Sequence, residues 1–296
     1  MYSIGSVLLF ERPTITRIQV LLLTGWLPPS IRQVESMPNL RILQIVKCYW
    51  GGPVEFLLGA ESFPRLDELV VHLMRLPPPV AVGSPAPLRT IDFCDITGPD
   101  WVNVVSECRE TLVEVFLCRC RLSPPTQIHL PNLKFLALSD MFDSRNNIVA
   151  PSLNTFHEHF SEPAPPELPL TFSSFTEYAC RIPPRFWRDE LLLDESVFPN
   201  LERFVLWSTL LGIRVVLGEL VSYPHAFPKL KTIELVADDG EELCDDNLAK
   251  LEKLVVHTPL SSVLKLQTHS MASFARLRFF WYVVHQSLRF IFLCHH

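Results

Sequence analysis

The chemistry-capable side chains of this 296-residue chain fall into a few clusters, and none completes a known catalytic arrangement. His157-Glu158-His159 is the most metal-like. On an extended strand His157 and His159 share one face, where a metal could bridge them. The competing reading, preferred here, is a polar patch on a degenerate segment. Cys118-x-Cys120 puts one sulfur out and one in by the repeat register, in which Cys120 takes an inward place three residues after Leu117, so joint ligation would need a backbone kink. The acidic run Asp238-Asp239-Gly240-Glu241-Glu242 with Asp245-Asp246 lacks the ligand spacing of a calcium loop and reads as a solvated connection. The terminal His295-His296 is too short to count as a metal site. Gly-x-Ser-x-Gly, a Gly-rich phosphate loop, His-Glu-x-x-His and the dinucleotide fingerprint are all missing. The expectation is a binding protein rather than an enzyme, with no catalytic residues, no metal and no cofactor.

What positions side chains here is a repeat. Six times an apolar residue, a proline, a variable residue and a leucine follow one another: Met37 to Leu40, Phe63 to Leu66, Leu130 to Leu133, Ala150 to Leu153, Phe198 to Leu201 and Phe227 to Leu230. Five of the six leucines then start Leu-x-x-(Leu/Ile/Phe)-x-(Leu/Ile/Val). With 48% of the chain hydrophobic, that spacing alone arises in roughly one window in nine. A proline at a fixed offset does not. The register extends to Ile15-Ile18-Val20, Leu88-Ile91-Phe93, Leu112-Val115-Leu117 and Leu251-Leu254-Val256. Anchors fall 20–29 residues apart, with one gap of 48 that a degenerate repeat near Phe172-x-x-Phe175 would fill. That period belongs to leucine-rich repeats.

The apolar-x-apolar core of each repeat reads as a short strand with alternate side chains inward, preceded by a proline that suits its start. Helix-like stretches follow several strands, at 54–58, 100–108, 185–193 and 213–223. One such unit cannot bury its own apolar face, so neighbours stack. The fold class expected is α/β: a leucine-rich-repeat solenoid with a single parallel sheet on the concave side and helices or irregular turns on the convex side. Residues 1–14 would be an N-terminal cap or a truncated remnant, 15–258 a solenoid of about ten irregular repeats, and 259–296 an apolar, basic tail or cap. Cys48 and Cys120 are expected inward.

Partners of a solenoid usually meet the concave strands. The register places Glu68, Asp92, Glu114, Phe116, Phe135 and Trp207 at outward strand positions there. Exposed aromatics suit binding hot spots, and the carboxylates favour a basic protein partner. Lys plus Arg is 26 against 32 Asp plus Glu, a net charge of -6, with no basic stripe for nucleic acid. The apolar run from Phe274 to Leu293 is interrupted by Arg276, Arg278, His285, Gln286 and Arg289, which argues against a membrane span. Eight cysteines without a Cys-x-x-Cys pair, and no secretory signal, point to an intracellular protein, cytoplasmic or nuclear.

The Phe-Pro-x-Leu-x-x-Leu-x-Leu repeats, their irregular period and the proline-rich stretches at 77–87 and 163–169 resemble the leucine-rich-repeat region of fungal F-box proteins over about residues 13–258. The resemblance implies the substrate-recognition part of a Skp–cullin–F-box ubiquitin ligase. An F-box commonly opens with Leu-Pro-x-Glu, which is missing, and the first repeat strand already stands near Ile15. Docking of the Skp adaptor is therefore not expected. The alternative is a stand-alone leucine-rich-repeat scaffold or a GTPase-regulator or inhibitor-type binding protein.

Overall fold

The computed structural model describes residues 2–4, 17–27, 37–50, 59–72, 84–96, 100–120, 127–141, 148–159, 174–181, 200–208, 229–237, 263–268 and 291–293. Three of the proline-bearing repeats open on a turn set by that proline. The Leu40 N–H donates to the Met37 carbonyl (3.1 Å), Leu66 to Phe63 (3.2 Å) and Leu133 to Leu130 (3.3 Å). Proline is thus the second residue of a β-turn, where its fixed φ is already correct and its missing N–H is not needed. The sequence reading put this proline at the start of a strand; it acts slightly earlier, aiming the leucine that closes the turn. Those leucines, Leu40, Leu66 and Leu133, are completely buried.

The strands that follow are β1 (Tyr2–Ile4), β2 (Val20–Leu27), β3 (Ile42–Trp50), β4 (Glu68–His72), β5 (Thr90–Cys94), β6 (Glu114–Cys118), β7 (Ile128–His129), β8 (Phe135–Ser139) and β9 (Ile148–Val149). They belong to a first compact unit, Met1–Ser152. A second unit, Leu153–His296, holds β10 (Thr155–His159), β11 (Glu177–Arg181), β12 (Arg203–Ser208), β13 (Thr232–Ala237), β14 (Val263–Thr268) and β15 (Ile291–Leu293). In the first unit β1-β2-β3-β4-β5-β6-β8 pair in that order, all parallel, and β7 pairs parallel with β9. In the second, β10 to β15 pair parallel in chain order. Each unit is a stretch of parallel β-solenoid, with a repeat of about 22 residues.

Two features lock the coils together. Apolar side chains stack in register: Leu43, Leu69, Ile91, Val115 and Leu136 are successive partners and all buried. Burying each such side chain contributes about 1.5–3 kcal/mol. The backbone adds a ladder just before the strands. The Arg41 carbonyl accepts from both Asp67 and Glu68 N–H, the Asp67 carbonyl from Arg89 and Thr90, and the Arg89 carbonyl from Val113 and Glu114. Asn154, Thr176 and Glu202 repeat the device in the second unit. No coil could satisfy these groups alone.

Several positions depart from the sequence reading. The first repeat anchors at Ile18, with Leu21 and Leu23 inward, three residues after the expected Ile15. The unbroken run Val20-Leu21-Leu22-Leu23 fits both registers, and pairing Leu21 with Leu43 decides between them. The degenerate repeat likewise anchors at Phe175, with Tyr178 and Cys180 inward. Leu251 to Val256 lies outside the described residues, and β13 pairs instead with β14. In the second unit β14 and β15 continue the parallel pairing past residue 258, and in the first β1 pairs with β2 before residue 15. Among the described residues helix is confined to α1 (Asp100–Glu107), so the chain there is nearly all β rather than α/β. The stretches 54–58, 185–193 and 213–223 lie outside the description. In α1, Trp101, Val104, Val105 and Cys108 make the buried i, i+3, i+4, i+7 stripe that holds it on the coil.

Candidate functional site

Side chains alternate along each strand, so the residues between the inward ones form three solvent-facing rows across the first unit. Register partners define them. The first row is Glu68, Thr90, Glu114 and Phe135; the second is Gln44, Val70, Asp92, Phe116 and Ala137; the third is Val46, His72, Cys94, Cys118 and Ser139. Five of the sequence-predicted residues therefore come together on one face: Glu68, Asp92, Glu114, Phe116 and Phe135.

The aromatics meet. The rings of Phe116 and Phe135 lie 4.9 Å apart between centroids, tilted by 37°. Phe116 stands opposite the small Ala137, which leaves room for its ring to lean toward Phe135 on the same neighbouring strand. Both remain half-exposed, and Glu114 beside them is exposed. Asp92 contacts the His72 imidazole, Nε2 to Oδ1 3.2 Å. Val70, in the same row, is buried. The patch thus has an apolar centre bordered by carboxylates.

Trp207 does not join it. It lies in the second unit, between Arg181 and Val236 in register, and is half-exposed. Outward positions there differ in kind. Ala179 and Val205, which stand opposite each other, are buried. Around them Arg203 joins Glu177 (2.7 Å) and Glu234 (3.0 Å), and His157 Nε2 lies 3.6 Å from Glu177 Oε1. Burial pushes the His157 imidazole below its ordinary value, against the pull of Glu177 upward.

The His157-Glu158-His159 cluster is split by the strand. Both histidines are half-exposed, while Glu158 points inward, buried, and accepts a 2.8 Å hydrogen bond from the Tyr178 hydroxyl. Glu158 takes the inward position that an apolar residue fills in the other repeats, after Leu153 and Phe156. Among the described residues no group of three His, Cys, Asp or Glu side chains is arranged to hold a metal. No helix there is long and apolar enough to cross a membrane. Cys120 is buried and Cys118 half-exposed, so the two sulfurs do face opposite ways. The side chain of Cys48 lies outside the description.

The third row, and the residues that follow it, were missed by sequence reasoning. Asp95, Arg119 and Asp140 sit one residue after the row, at the strand ends, with positive φ of 56°, 50° and 52°. Arg119 grips Asp95 with two hydrogen bonds, Nε–Oδ1 2.5 Å and Nη2–Oδ2 2.6 Å. This holds the Asp95 carboxyl below the usual carboxylate range. Aligning the repeats one residue beyond the last inward position would have exposed the row.

Searches against protein-family models and against curated proteins find no match to this chain.

Proposed function

We propose that the chain is a protein-interaction module, a leucine-rich-repeat solenoid whose solvent-facing strand rows in the first unit grip a protein partner. The observation that carries this reading is the Phe116–Phe135 pair, 4.9 Å apart and half-exposed on a strand surface otherwise built to be covered only on its inner side. Aromatic rings at a solvated surface suit the centre of an interface, where burying them excludes water. Glu68, Asp92 and Glu114 around them favour a partner with basic residues and hasten encounter at low salt.

The resemblance of the repeats to those of F-box substrate receptors supports a narrower version, in which the partner is a protein delivered for ubiquitination. The test is affinity purification from the source cell with the wild-type chain and with the double variant Phe116→Ala/Phe135→Ala. The reading expects one partner set, depleted by the double variant and by raised salt. A partner set unchanged by the double variant would remove this face from the function. Skp and cullin among the partners would establish the narrower version.

A further inference from the structure

Cys94 ends β5 and Cys118 ends β6, and the two are register partners on neighbouring parallel strands. Both are half-exposed free thiols on the solvent-facing side. Partner residues of adjacent strands lie about 4.8 Å apart. That is within the roughly 4.4–6.8 Å between Cα atoms that a disulfide spans. Burial, with Cys118 alongside, pushes the Cys94 thiol up to about 12, and its Sγ lies 3.6 Å from Asp95 Oδ2. Both strands stop here, at the positive-φ residues Asp95 and Arg119. The side chains are therefore less confined than they would be in mid-strand. Arg119, held by Asp95, brings its Nη2 to 3.9 Å from Cys94 Sγ, a cation that opposes the upward push on that thiol without overcoming it.

The other cysteines whose side chains are described lack this access. Cys108 and Cys120 are buried, with their thiols directed at backbone carbonyls, Ala86 O for the former and Phe93 O for the latter. Burial pushes each up to about 12. Cys180 is fully buried.

We propose that Cys94 and Cys118 form a dithiol site that small-molecule disulfides oxidise reversibly to a cross-strand disulfide. The Cys118 sulfur, its proton given to solvent, attacks first. It bonds to one sulfur of RSSR and releases RS⁻, leaving a mixed disulfide on Cys118. Cys94 then gives its proton to solvent, and its sulfur attacks the Cys118 sulfur, expelling a second RS⁻. Two protein thiols lose two electrons, and one RSSR becomes two RSH. Excess thiol runs the sequence backward. The bond would tie β5 to β6 one row from Asp92 and Phe116, but the site stands on its own geometry and does not depend on what the neighbouring patch binds.

The test treats the full chain with hydroxyethyl disulfide, quenches with acid, alkylates the remaining thiols and digests without reductant for mass spectrometry. The expected product is a peptide pair joined through Cys94 and Cys118. Cys94→Ser should instead trap hydroxyethyl on Cys118. Wild-type protein recovered with both cysteines alkylated, or carrying hydroxyethyl on both without a link, overturns the proposal. A second measurement needs no variant. Phenylarsine oxide, whose arsenic bridges two neighbouring sulfurs, should shield Cys94 and Cys118 together from alkylation; if both remain open to alkylation, the sulfurs are not paired and the proposal fails.

Discussion

Phe135 and Leu136 are neighbours in β8 whose side chains leave opposite faces of the sheet, and truncating each should have opposite consequences. Leu136 is completely buried, stacked on Val115 of the preceding coil. Leu136→Ala removes three carbon groups, about 2.4 kcal/mol at roughly 0.8 kcal/mol each. The cavity left in a rigid stack brings the total to about 2–5 kcal/mol. Phe135 is half-exposed and its ring tilts against Phe116, a pair worth about 0.5–1.5 kcal/mol beyond area burial. Phe135→Ala should therefore cost about 1 kcal/mol of stability, and take its larger toll on binding. Urea unfolding followed by circular dichroism and by fluorescence would compare the two variants, the midpoints at equal slope giving the difference. Agreement of the probes matters because repeat arrays can lose cooperativity. If Phe135→Ala destabilised the chain as much as Leu136→Ala, the Phe135 ring would be core, and the solvent-facing rows would be misassigned.

Further outcomes follow from particular contacts. Phe116→Ala should weaken capture of the partner by more than about 1 kcal/mol, read as a titration midpoint, while leaving the urea midpoint nearly unchanged. Tyr178→Phe removes the donor to the buried Glu158 and should cost about 1–3 kcal/mol; an unchanged midpoint would mean that the carboxyl is well served without it. His157 titrates below its ordinary value of 6.5 in the folded chain because burial disfavours its charged form. The unfolded chain then binds the proton first, so this group's contribution is present above 6.5 and falls as pH drops toward the folded value. His157→Gln should flatten that acid-side loss, measured as melting temperature against pH, and a parallel slope in the variant would assign the loss to another group. Asp95 behaves alike on a lower scale: Arg119 depresses its carboxyl below 3.8, so its contribution is full above that value and fades as pH falls through the folded one. Because the pair is solvent-exposed, Arg119→Ala should cost no more than about 1 kcal/mol at neutral pH, and less in high salt.

The repeat was legible because its physics is local. A β-turn with proline second and leucine fourth, followed by alternating apolar positions, depends on residues within one coil, and Leu40, Leu66, Leu133 and Leu201 are buried where that pattern put them. Where the pattern was ambiguous, at Ile15 against Ile18 and at Phe172 against Phe175, only pairing with the next coil chose the register. Phe116 and Phe135 could be placed on an outward face from their parity in the strand, but not brought to 4.9 Å of each other. Cys94 and Cys118 have α1 between them in the chain, and only aligning the repeats one residue beyond the last inward position marks them as neighbours. The connections between strands vary in length from coil to coil, so which side chains meet across coils is fixed by the backbone ladder between them. Alternation along a strand decided which way each side chain faces; pairing between strands decided what it faces beside.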